Sequence, residues 1–197
     1  MIRSRPRVGI SRCLLGDEVR YDGTHKRSEH VIETLEPHVE WVAVCPEVEI
    51  GMGTPREPIE LVIGADGVPS AGFRVRLVGV QRREDWTERM QAWARARVRA
   101  LEPLGLSGYV FKARSPSCGI DDVRVAGTAG TARGLFAQAL IDAMPELPVA
   151  DEERLGDAGT RASFLARVLA YRGQTPIHGS TQGPESIRDG GSDPVSR

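Results

Sequence analysis

The sequence predicts an α/β fold: a doubly wound, Rossmann-like, mainly parallel sheet with helices on both faces, plus a small β-hairpin excursion. Three observations carry that expectation. Short apolar runs alternate with longer stretches of helical periodicity. The runs lack the polar alternation of a strand with one face in water. Reactive side chains stand just after the runs, at the carboxyl strand ends where such sheets bind ligands.

The elements follow in order. "RVGI" at 7–10 is the first strand and "SEHVIETLEPHV" at 28–39 the first helix; "WVAV" at 41–44 is the second strand. "PREPIELVIGADGVPSAGFRVRLVGV" at 55–80 holds two β-like runs around Gly64–Gly72 and reads as a hairpin. In "DWTERMQAWARARVRALEPL" at 85–104, Trp86, Met90, Trp93, Val98 and Leu101 form one apolar helical stripe. "GYVF" at 108–111 is a third strand, and "GLFAQALIDAM" at 134–144 its helix. "AGTRASFLARVLAY" at 158–171 closes the fold, with Phe164, Leu165, Val168 and Leu169 set toward the core.

With 197 residues, 40 % of them hydrophobic, the chain can bury one sizeable core, placed at 1–172 as a single domain. Residues 173–197 are rich in Gly, Ser, Pro and Asp and read as a disordered polar tail. With 26 basic and 27 acidic residues, no global field recruits nucleic acid or an anionic membrane, so the expected partner is a small molecule. No run approaches the ~20 apolar residues of a membrane span, and the N-terminus lacks the apolar middle of a signal peptide, which points to the cytoplasm. Three cysteines, an odd number, suit a reducing compartment with free thiols.

Those cysteines are the chemical signal. Cys13 in "SRCLLG", Cys45 in "AVCPEVEIG" and Cys118 in "SPSCG" each follow an apolar run and lie beside glycine or proline, so three turns at one sheet edge can converge. Three thiolates there repel one another unless a cation neutralises them, which implies a soft metal or a cluster. Zinc with His25, His30 or His38 as fourth ligand is one possibility. An iron-sulfur cluster usually takes four cysteines, and with three it keeps one iron open to substrate. Phosphate-binding and nucleophile-elbow motifs are absent from the sequence. "GMGTPREP" at 51–58 reads as a shaped loop whose Arg56 can present a planar fork to a carbonyl or carboxylate.

"SRCLLGDEVRYDG", "VCPEVEIGMGTPREPIELV" and "SPSCG" together resemble the signature stretches of the domain-of-unknown-function family 523, which includes thiouracil desulfidases. The resemblance spans about residues 7–170. It implies a 4Fe-4S cluster held by Cys13, Cys45 and Cys118, and non-redox hydrolytic removal of sulfur from a thiolated pyrimidine, with release of sulfide. On that resemblance Glu47 and Ser117, neighbours of two ligands, are the candidate catalytic groups, and Ser11, Arg12 and Arg56 the candidate substrate contacts. Family members often read "SACLLG"; this chain carries Arg12 before the cysteine. "TPREP" and the 147–171 stretch are most similar to the subgroup usually fused to a module of family 1722, here replaced by the polar tail. A non-catalytic iron-sulfur or zinc sensor and a sulfur-transfer enzyme are the alternatives.

Overall fold

The computed structural model of the chain describes residues 5–64 and 75–174. In chain order its elements are β1 (Arg7–Ser11), α1 (Glu29–Leu35), β2 (Glu40–Val44), α2 (Pro46–Glu49), β3 (Ile59–Ile63), β4 (Val75–Gly79), α3 (Thr87–Leu101), β5 (Leu106–Phe111), β6 (Val123–Ala126), β7 (Thr131–Ala132), α4 (Leu135–Ala143), β8 (Val149–Asp151) and α5 (Ala158–Gln174). Single 3-10 turns occupy Arg12–Leu15, Glu102–Leu104 and Arg154–Gly156.

The main sheet has the order β2-β1-β5-β8, all pairs parallel. Its strands are short and apolar because both faces are covered. On one face Tyr109, Phe111 and Val44 pack with Ala94 and Val98 of α3 and Phe136 and Leu140 of α4. On the other, Val8, Ile10 and Val110 meet Val31 and Ile32 of α1 and Phe164 and Val168 of α5. β1 and β5 close tightly across that sheet: a Cβ on Gly9 would lie 2.1 Å from the Tyr109 ring, so only glycine lets the ring rest there.

The hairpin is present. β3 and β4 pair antiparallel from Ile59↔Gly79 to Ile63↔Val75, and the turn between them lies outside the described residues. It belongs to a second sheet, order β4-β3-β6-β7, which the apolar runs do not announce because β6 and β7 are only four and two residues long. This sheet packs through Leu61, Leu77 and Val125 onto Met90 of α3.

Two expectations shift. The α3 stripe is completed by buried Ala94, while Trp86 and Trp93 stay half-buried. Leu169 is 50 % exposed, because five residues beyond Phe164 is about 140° around a helix. α5 also takes in Gly173 and Gln174, past the expected start of the tail at 173; residues 175–197 lie outside the described residues. No helix among the described residues is long and apolar enough to cross a membrane.

Candidate functional site

The strand order reverses between β1 and β5, since the chain leaves β1 for β2 on one side and later returns through β5 on the other. Loops diverge from such a point and leave a crevice at the carboxyl ends. A cavity of about 350 Å³ lies there, and Cys13, Cys45 and Cys118 all line it.

Each cysteine is held by local backbone chemistry. After β1 the chain tightens into the 3-10 turn, and Gly16, at φ +108°, closes it with its N–H on the Cys13 carbonyl at 3.3 Å. The Lys26 N–H reaches the same carbonyl at 2.9 Å. Cys45 precedes α2; Pro46 supplies the preset first helical residue, and the Cys45 N–H donates to Glu49 Oε1 at 3.3 Å. Cys118 sits in the turn opened by Ser115, whose Oγ and carbonyl both accept its N–H at 3.2 Å. The N-terminus of α4 then clamps that turn from behind. Leu135 N–H donates to Pro116 O at 3.2 Å and Phe136 N–H to Ser117 O at 3.0 Å, while Gly134 N–H reaches Gly119 O at 2.8 Å.

The electrostatics favour protonated sulfur. Burial first, and then the Glu47 carboxylate, push the Cys13 thiol up to about 11 and the Cys45 thiol up to about 12. Cys118, 3 % exposed, is raised well above the usual thiol range for the same two reasons. Three sulfurs lining one cavity are the kind of donor set a soft metal or an iron-sulfur cluster takes, once their protons are displaced. Among the described residues no three His, Cys, Asp or Glu side chains are close enough to hold a single ion. His25, His30 and His38 do not line the cavity.

The structure brings most of the candidate residues together. Glu47 is buried, lines the cavity, and accepts from the Cys45 thiol at 3.5 Å. Ser11, 2 % exposed, accepts the Lys112 N–H through its Oγ at 2.9 Å. Arg12 lines the mouth, held at the surface by Asp17. Arg56 lines the far wall, with Nη1 spent on the carbonyls of Val19 at 3.0 Å and Gly53 at 2.8 Å. It joins two loops over the crevice and has no carboxylate partner among the described residues. Ser117 departs from the group. It is fully buried beside Cys118 but is not in the cavity wall, and its Oγ has no partner among the described residues.

Sequence reading missed the cations. Arg20, Lys26, Lys112 and Arg114 line the same cavity, against Glu47 as its one acidic lining residue. Lys112 is the first residue after β5, as Cys45 is after β2, so the strand-end position that marks the cysteines marks it too.

A family model for 2-thiouracil desulfurase matches residues 8–152. The chain is 27 % identical to a 4Fe-4S-dependent thiouracil desulfidase, TudS, of known structure, with a TM-score of 0.60 over 81 % of this chain and 99 % of that one. It is also 36 % identical over 110 residues to the uncharacterized protein YbbK of Bacillus subtilis (strain 168), covering 56 % of this chain and 71 % of that protein.

Proposed function

The chain belongs to the 2-thiouracil desulfurase family, and from that premise we propose that it removes sulfur from a small thiolated nucleobase, thiouracil being the model case, by hydrolysis that releases sulfide. The observation that carries the reading is the convergence of Cys13, Cys45 and Cys118 on one switch-point cavity that also contains a single carboxylate, Glu47.

In this reading Cys13, Cys45 and Cys118 would hold a 4Fe-4S cluster, which would supply a Lewis acid toward the sulfur of a thioamide. The chain's own residues do the rest. Glu47, buried and two positions from Cys45, accepts a proton from the water that attacks the ring carbon. Arg56 keeps Nε and Nη2 for a ring carbonyl after Nη1 is spent on the backbone. Arg12, turned to Asp17, shapes the mouth. Oxygen from water replaces sulfur at carbon, sulfur leaves as sulfide, and no electrons are transferred overall.

The test is sulfide release from thiouracil by anaerobically reconstituted protein with no reductant added. Glu47→Gln should keep iron and sulfide content while turnover falls about 10²- to 10⁴-fold, the usual worth of a positioned base. Full turnover in that variant removes Glu47 from the mechanism. A cluster-loaded wild type that frees no sulfide from any thiolated base overturns the desulfidase reading.

A further inference from the structure

Lys112 opens the loop that carries Cys118, and its contacts form a closed clasp. One Glu152 oxygen, Oε1, pairs with the Lys112 ammonium at 2.5 Å, and the other, Oε2, accepts the Ala113 N–H at 2.7 Å. The ammonium also donates to the Ala113 carbonyl at 3.0 Å. On the other side the Lys112 N–H holds Ser11 Oγ at 2.9 Å, which ties the clasp to the end of β1.

This pair differs from the other ion pairs at the cavity. The Arg12 and Arg114 side chains are 44 % and 67 % exposed and are held by surface carboxylates, and Arg20, itself 23 % exposed, pairs with an Asp22 that is 34 % exposed. The Lys112 side chain is 20 % exposed and its Glu152 partner only 12 %, so solvent screens this pair least. The Lys112 charge acts on the Cys13 thiol, with Glu152 opposing it. An ammonium has three N–H donors. Two are spent on Glu152 and the Ala113 carbonyl; the third has no protein partner among the described residues, and the side chain belongs to a residue of the cavity wall.

We propose that Lys112, aimed by Glu152, is the hydrogen-bond donor to the departing sulfur. The inference rests on the desulfidase reading. As the C–S bond breaks, its electron pair leaves on sulfur while the oxygen of water forms the new bond to carbon. The two protons of that water end on sulfide or in solvent. Negative charge therefore grows on sulfur, and a fixed ammonium N–H stabilises that charge without itself giving up its proton. Glu152 touches neither substrate nor sulfur; it is a positioning residue that acts through Lys112.

The experiment uses the cluster-loaded protein and hydrosulfide itself as probe. Anaerobic titration with sodium hydrosulfide, followed through the visible absorption of the cluster, should show affinity weakened about 10- to 100-fold in Lys112→Met at unchanged iron content, the worth of one charged hydrogen bond. Lys112→Arg should restore part of it. In turnover, kcat should fall with KM held, because the contact forms as charge develops. Glu152→Gln keeps an acceptor for the Ala113 N–H but removes the charge that aims the ammonium, so it should show a smaller loss. That loss should vanish in the Lys112→Met background. An equal Glu152→Gln loss in both backgrounds would make Glu152 a support of the loop alone and overturn its positioning role. A loaded wild type whose hydrosulfide affinity Lys112→Met leaves intact overturns the inference by itself. A wild type that takes up no iron overturns it together with the reading beneath it.

Discussion

Gly134→Ala tests whether the back wall of the site must stay where it is. Gly134 precedes α4 at φ −64° and ψ 146°, a conformation that alanine adopts freely, so the backbone itself raises no objection. The obstacle is space. A Cβ there would lie 2.5 Å from the Ser117 carbonyl carbon, 2.7 Å from its oxygen and 2.7 Å from the Cys118 nitrogen. All three are main-chain atoms, with no rotamer to yield. Carbon atoms rest about 3.5 Å or more apart, so the turn has to retreat by roughly 1 Å. Overpacking of that kind costs about 1–3 kcal/mol, and the stiffer unfolded chain returns about 0.4–1, which leaves a net loss of about 1–2 kcal/mol. The larger effect falls on metal. Ligand distances tolerate only about 0.2 Å, so a Cys118 displaced with its turn should hold a cluster poorly. The assay pairs denaturant unfolding with iron and sulfide per chain after anaerobic reconstitution, with Gly156→Ala as control, where a Cβ meets nothing within 4 Å. Wild-type iron content in Gly134→Ala would refute the claim that α4 fixes the Cys118 turn.

Two further outcomes test the scaffold. Asp157 accepts both the N–H and the Oγ of Thr160 at 2.8 Å at the start of α5, and these bonds hold its carboxyl below the usual 3.8. Its contribution is thus complete above pH 3.8 and fades as pH falls through the lower folded value. The melting temperature of Asp157→Ala should lie below wild type at pH 7, with the gap closing toward pH 3; a gap that does not change with pH would show that the cap works without its charge. Tyr109→Phe removes a fully buried hydroxyl with no partner among the described residues, and chemical denaturation should show stability unchanged or raised by about 1 kcal/mol; a clear loss would mean the hydroxyl is satisfied in solution.

What the sequence discloses divides along physical lines. Runs such as "RVGI" and "GYVF" announce strands because a strand covered on both faces must be apolar throughout, and the cysteines that follow them inherit a common edge from the topology. The same logic fails for β6, β7 and β8, which are two to four residues long and take their conformation from the neighbours they pair with. Ser117 shows a second limit. Adjacency in the chain puts it beside Cys118, yet successive residues in a turn face different ways, and its hydroxyl lies behind the cavity wall. Lys112 and Glu152 show a third, since they are 40 positions apart and nothing local pairs them. Only the parallel pairing of β5 with β8, Phe111 opposite Asp151, brings the residue after each strand to the same point. A parallel register thus does for this ion pair what the switch point does for the cysteines. It turns the first residues beyond separate strands into neighbours, which is why strand ends are where unread functional groups in this chain should next be sought.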